Sequence, residues 1–235
     1  MTRPGLIDAL VVANRILHRH GVVDAFGHVS VRDPDSPDRF LLSRSLAPDQ
    51  VTRGDIMTFD LDSNALDADS RQPYLERFIH GAIYRARADV RSIVHSHSPS
   101  VIPFGAVGLP LRPLYHMSSF LGAGSPTFDI REVAGDTDML VRDPPLGEAL
   151  ASALGEHSVV LMRGHGSTVV GASIEEAVFR AIYTETNARL QAQALALGDP
   201  TYLSEGESVK ATRTNAGSVR RAWDSWAQAV GPVND

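Results

Sequence analysis

Apolar residues recur at helical spacing over 6–20, where Leu6, Leu10, Ala13 and Leu17 share a face and Gly21 supplies a stop. The period then changes. His28-Val29-Ser30-Val31-Arg32-Asp33 alternates as a strand does and runs into a Pro/Asp/Ser turn cluster. Phe40-Leu41-Leu42 and 56–61 read as two further short strands, and 62–72 as a polar loop. Helical spacing returns over 74–87, with Leu75, Phe78, Ile79, Ala82 and Ile83 as its apolar face. A strand is predicted over 92–97, while 98–143 is rich in Pro and Gly and yields no clear element. Beyond it the pattern predicts a helix over 145–154, a buried strand over 159–162 and another over 168–171. Ser173-Ile174-Glu175-Glu176 has the form of a capping box and opens a long helix to about residue 197, ended by Gly198 and Pro200. The chain is then polar until Trp223 and Trp226, which predict a last helix anchored on the body or on a neighbouring subunit. With no internal repeat or linker, the expectation is a single α/β domain over 1–235, with 199–235 as a C-terminal tail.

Composition narrows the chemistry. The 235 residues suffice for a sizeable core, and 43 % hydrophobic with 21 % charged residues is a globular balance. Lys plus Arg is 22 against 28 Asp plus Glu, a net charge of −6, and no long basic run exists to neutralise nucleic-acid phosphates. No apolar run is long enough to span a bilayer, and Asp8 and Asn14 interrupt the N-terminal apolar stretch, so neither a membrane segment nor a signal peptide is expected and the chain is placed in the cytoplasm. With no cysteine, any metal site must draw on His, Asp or Glu.

His95 and His97 are the sharpest local feature. Strand side chains alternate, so residues i and i+2 point to one face, where two imidazoles can share one divalent ion. Catalytic sites typically take three protein ligands and leave a position open. His165, in Arg163-Gly164-His165-Gly166 just after a buried strand, is the candidate third ligand, because flanking glycines permit close backbone approach. The alternative is that the three are unrelated polar residues. Glu76, with His80 and Tyr84 one and two turns on, could ligate the ion or move a proton, or could face solvent. His18, His20 and His157 read as structural or surface residues, and His116 could border a site.

In order along the chain, Phe26-Gly27-His28-Val29-Ser30, Ser43-Arg44-Ser45, Pro73-Tyr74-Leu75-Glu76, Val94-His95-Ser96-His97 and Arg163-Gly164-His165-Gly166 resemble the motifs of the class II aldolase/adducin family. The resemblance implies a three-layer α/β/α sandwich around a largely antiparallel central sheet. It also implies one divalent metal ion per subunit on His95, His97 and His165, Glu76 as the acid/base residue, and a homotetramer with active sites at subunit interfaces. Sugar-phosphate aldolases of the family carry Gly-Asn, Thr-Pro-Ser-Gly and Ser-Ser where this chain has Gly27-His28, Ser43-Arg44-Ser45 and Tyr74-Leu75. Leu donates no hydrogen bond and Tyr is far larger than Ser, so a phosphate cradle is lost. A flat carboxylated ring could take its place, with Arg44 pairing a carboxylate and Tyr74 or Phe26 against the ring.

That pattern is similar to the family's decarboxylase branch, which acts on a hydroxypyridine dicarboxylate or on dihydroxyphthalates. The implied function is a metal-dependent decarboxylase for a small hydroxy-substituted aromatic or pyridine dicarboxylate, with Glu76 carrying the proton and His28 or His116 assisting. The resemblance favours Mn2+, while the ligand types also suit Zn2+. The expected substrate-binding residues are Gly27, His28, Ser43, Arg44, Ser45, Tyr74 and His116. Two other readings stay open: an aldolase or epimerase for a non-phosphorylated or carboxylated substrate, and a non-catalytic module like the adducin head.

Overall fold

The computed structural model describes residues 2–67 and 69–233; Met1, Ala68 and 234–235, which fall within the expected 1–235 domain, the 62–72 loop and the 199–235 tail, lie outside the described residues. The elements run α1 (Arg3–Arg19), β1 (His28–Arg32), β2 (Arg39–Ser43), β3 (Ile56–Asp60), α2 (Arg77–Ala86), β4 (Ser92–Ser96), α3 (Ile102–Val107), β5 (Thr127–Phe128), α4 (Arg131–Ala134), α5 (Pro144–Leu154), β6 (Val159–Met162), β7 (Gly166–Gly171), α6 (Ile174–Leu197), α7 (Glu205–Ala216) and α8 (Val219–Val230). A six-residue 3-10 segment, His116–Leu121, lies between α3 and β5. The strands form one seven-stranded sheet in the order β3-β2-β1-β4-β7-β6-β5. Every pairing is antiparallel except β5 with β6.

Alternation along the strands divides the interior in two. Val29, Val31, Leu41, Val94, Leu161 and Val169 face one way and pack against α1, α6 and α8. Phe40, Leu42, Met57, Ile93, Val160 and Val170 face the other way and pack against α2 and α5. The result is the expected three-layer sandwich. Burying a side chain such as Leu10 or Ile83 contributes about 1.5–3 kcal/mol, so the two apolar layers dominate stability. On α6, Ser173 accepts from the Glu176 backbone N–H, but the Glu176 carboxylate reaches back to the Ala172 N–H instead of completing the box on Ser173 itself.

Three expectations need correction. Helix α2 begins at Arg77, not Tyr74, with Glu76 as its N-cap, and Leu75 is exposed instead of joining the apolar face. Strand β4 ends at Ser96, so His97 lies just beyond it. The stretch after 199, expected as a C-terminal tail polar up to Trp223, contains a helix that the pattern did not predict: α7 packs on the His116–Leu121 segment, with Thr212 Oγ1 donating to Ser119 Oγ at 2.9 Å. Helix α8 sits on the body: Trp223 is buried in the α1/α6 layer, and Trp226 meets His20, Phe179 and Tyr183. Among the described residues no helix is long and apolar enough to cross a membrane.

Candidate metal centre

The two central strands and one turn build the site. β1 and β4 pair so that His28 lies opposite His95, and β4 pairs β7 so that His95 lies opposite Thr168. The β6–β7 turn returns His165 beside His97. Gly164 takes a left-handed φ of +63° in that turn, and a Cβ on Gly166 would lie 2.0 Å from the Ser96 carbonyl oxygen. Only glycine allows both the turn and the approach of the two strands.

Glu76, His95, His97 and His165 each bring one ligand-type atom into a group lying within 4.8 Å of one another. His165 Nε2 is 3.0 Å from His97 Nε2 and 3.4 Å from Glu76 Oε2, and His95 Nε2 is 3.5 Å from Glu76 Oε2. Ligand atoms about 2.1 Å from a shared ion stand roughly 3.0–3.4 Å apart, depending on coordination angle, so these spacings fit one divalent ion. Two further observations support the fit. His95 Nε2 is fully buried with no hydrogen-bond partner; with the ring proton on Nδ1 it presents an unpaired lone pair that a cation would satisfy. His165 Nδ1 lies 2.9 Å from the Met139 carbonyl, which accepts its proton and leaves Nε2 free to ligate. The backbone N–H of Val141 donates to Glu76 Oε1 at 3.0 Å, holding that carboxylate with Oε2 turned to the imidazoles.

The electrostatics match. Burial alone would raise the Glu76 pKa, but His95 and His165 outweigh it and hold the carboxyl well below the usual range. Burial, then His95 and His165, push His97 down to about 4, the neutral state a ligand needs. Burial lowers the His165 pKa, but the hydrogen bond and charge of Glu76 win and raise it.

A cleft of about 390 Å³ opens over this group, lined by Phe26, Gly27, His28, Ser45, Leu46, Tyr74, Leu75, Glu76, His95, His97 and Leu140, with Ala25 and Ala47. Phe26 and Leu75 stand at its mouth, 65 % and 59 % exposed. The Tyr74 ring lies 4.6 Å from that of His28; its hydroxyl donates to the Leu46 carbonyl and is 3.4 Å from Ser43 Oγ, which ties the 43–46 segment to the wall. A larger hollow of about 550 Å³ between His116–Leu121 and α7 carries no convergent ligand group among the described residues.

The structure therefore gathers Glu76, His95, His97, His165, Gly27, His28, Ser45 and Tyr74, with Ser43 just behind Tyr74. Two expected residues are elsewhere. Arg44 alternates to the far side of Ser43 and pairs with Asp55 at 2.6 Å, so it does not line the cleft. His116 is exposed at the start of its 3-10 segment, its carbonyl accepting from Asn215 of α7, and does not line the cleft either. Sequence reasoning underused His80, Ser30 and Tyr84. They are buried beneath His28, and the signal was a polar stripe at i and i+4 on α2 matching an i, i+2 polar pair on β1.

An antiparallel sheet that turns three imidazoles and a carboxylate toward one cleft is the frame of a class II aldolase-like protein. The chain belongs to that family: the model for the class II aldolase and adducin N-terminal domain matches residues 8–192. It is 41 % identical over 239 residues to decarboxylase tropJ of Talaromyces stipitatus, covering 92 % of this chain and 90 % of that protein. It is 33 % identical over 216 residues to 3,4-dihydroxyphthalate decarboxylase of Arthrobacter keyseri, over 84 % of this chain and 82 % of the relative. Among solved structures, L-fuculose 1-phosphate aldolase from Glaciozyma antarctica PI12 superposes with a TM-score of 0.80 at 26 % identity, covering 97 % of this chain and 89 % of that one.

Proposed function

We propose that this chain is a metal-dependent carbon–carbon lyase that releases a carboxylate of a hydroxy-substituted aromatic dicarboxylate as carbon dioxide. The observation that carries this reading is the convergence of three imidazole Nε2 atoms and one carboxylate oxygen at the floor of a cleft walled by Phe26 and Tyr74. The two decarboxylases to which the chain is similar support it, since one is named for a dihydroxyphthalate.

His95, His97 and His165 would hold the ion, Mn2+ by family resemblance or Zn2+ by ligand type, with Glu76 alongside. A divalent ion there supplies Lewis-acid stabilisation of negative charge developing on a substrate oxygen. Glu76, held ionised, takes the proton of the ring hydroxyl at Oε2 and delivers it to the ring carbon bearing the departing carboxylate. The bond from that carbon to the carboxylate then breaks, its electron pair restores the aromatic ring, and solvent returns a proton to the phenolate. Phe26 and Tyr74 bracket the ring faces. Among the described residues no Arg or Lys lines the cleft; in the homotetramer that the family resemblance implies, a neighbour would supply the cation for a second carboxylate.

The fold match to an aldolase favours a second reading, an aldolase or epimerase for a non-phosphorylated or carboxylated substrate. The complete ligand group supports an enzyme over a non-catalytic module. Purified Mn2+-loaded protein should release carbon dioxide from 3,4-dihydroxyphthalate or a related ring diacid. Aldehyde release from aldols without carbon dioxide would favour the second reading instead.

A further inference from the structure

Below the cleft four side chains form a hydrogen-bonded line for which the proposed proton path has no use. His28 and Ser30 project from one face of β1, and His80 and Tyr84 meet them from α2. His28 Nδ1 is 2.7 Å from His80 Nε2, His80 Nδ1 is 2.6 Å from Ser30 Oγ, and Ser30 Oγ is 2.8 Å from the Tyr84 hydroxyl. All four residues are buried.

Only one sense of the line leaves the unmatched proton at the cleft end, on His28, and none on a buried hydroxyl. Ser30 has one hydroxyl proton for two partners, so it donates to one and accepts from the other. If it donated to Tyr84, the buried Tyr84 O–H would have no acceptor among the described residues, because Ser30 is its only partner there. Tyr84 therefore donates to Ser30, and Ser30 donates to His80 Nδ1. His80 Nε2–H then donates to His28 Nδ1, which leaves the remaining proton of His28 on Nε2. The unmade bond in the reverse sense biases the line about ten- to a hundredfold. Each link of the line needs one proton, and the two buried rings supply it in their neutral form. At the other end, His28 lines the cleft with its ring 5.0 Å from that of His95, and its Nε2 has no partner among the described residues.

The geometry points to His28 as a hydrogen-bond donor to substrate, its tautomer set by the Ser30 hydroxyl through His80, with Tyr84 donating to Ser30. Nε2–H faces the cleft beside the ion site and bonds a carboxylate or phenolate oxygen of the substrate, a role that rests on the decarboxylase reading. His28 is thus a binding residue and not a proton carrier, since its free nitrogen holds a proton and has no lone pair to offer. His80, Ser30 and Tyr84 are positioning residues.

Nitrogen-15 NMR of histidine-labelled, zinc-loaded protein reads the tautomers directly. His28 and His80 should both carry their proton on Nε2, and Nδ1–H on His28 overturns the assignment. Ser30→Ala removes the donor to His80 Nδ1 and frees His80 to carry its proton there. It should move His28 toward Nδ1–H and raise KM for the ring diacid about tenfold at unchanged metal content. A folded Ser30→Ala protein with unchanged tautomer and KM also overturns it. Should that variant not fold, the wild-type spectrum decides without it. His28→Gln, which keeps a donor, should retain more affinity than His28→Leu; equal losses remove the donor role. The spectrum needs no turnover. Nε2–H on His28 in a protein that decarboxylates no ring acid leaves the relay standing and refutes the decarboxylase reading, whereas decarboxylation with Nδ1–H does the reverse.

Discussion

The tightest physical constraint on the centre is Gly166, and Gly166→Ala tests it. The added Cβ would sit 2.0 Å from the Ser96 carbonyl oxygen, 2.9 Å from its carbon and 3.0 Å from His97 Cα. The first distance is about 1.4 Å short of ordinary contact, and all three atoms are backbone, which cannot rotate away. The φ of Gly166 is not left-handed, so the cost is steric alone. The strands must part where β4 leads into His97 and β7 follows His165. Overpacking of this kind costs about 1–3 kcal/mol, or roughly 3–10 °C in melting temperature for a chain of this size. Moving His165 away from His97 should also weaken metal binding about 10–100-fold. Scanning calorimetry reads the first effect and competition against a chromophoric chelator reads the second. Gly206→Ala, where a Cβ meets nothing within 4 Å, is the control and should be neutral or slightly stabilising. Metal affinity in Gly166→Ala equal to wild type would refute the claim that this approach assembles the ligand set.

Glu76→Gln preserves shape and leaves the three imidazoles, so it should keep its metal and lose about 10²–10⁴ in kcat; normal turnover with metal bound would end the proton role. Arg44→Met should change KM by less than about threefold, because Asp55 engages the guanidinium away from the cleft and a pair this exposed contributes little, and a rise of tenfold or more would return Arg44 to the substrate. Burial lowers His80 from 6.5 to about 3, so the unfolded chain binds a proton that the folded chain refuses in that interval; its stabilising contribution is whole above pH 6.5 and declines as pH falls toward 3. A urea midpoint that stays level from pH 7 to pH 5 would contradict this.

Much of this was legible because one rule suffices for a strand or an amphipathic helix. The i, i+2 spacing of His95 and His97 survived even though His97 lies past the end of β4, since both imidazoles still reach the same group. The glycines around His165 were readable as a close approach. The 98–143 region was not, because side chains distant in sequence hold it: Asn187 and Gln191 of α6 bond the backbone of Pro110, Arg112 and Leu114. Helix α7 escaped because it is polar nearly all round and rests on that same region. Arg44 misled because adjacency to Ser43 and Ser45 implies no shared direction in extended chain. The His80–Tyr84 stripe was hidden because it breaks the apolar pattern that periodicity tracks, and its partners on β1 are about 50 residues away.

The central claim is that one divalent ion on His95, His97 and His165 serves carboxylate loss. The direct measurement is carbon dioxide release from 3,4-dihydroxyphthalate by protein stripped of metal and then titrated with Mn2+, with His95→Ala in parallel. No release is expected from the stripped protein, with recovery that saturates at one equivalent per chain, and neither metal binding nor release in His95→Ala. Full release by rigorously metal-free protein, or by His95→Ala, would contradict it.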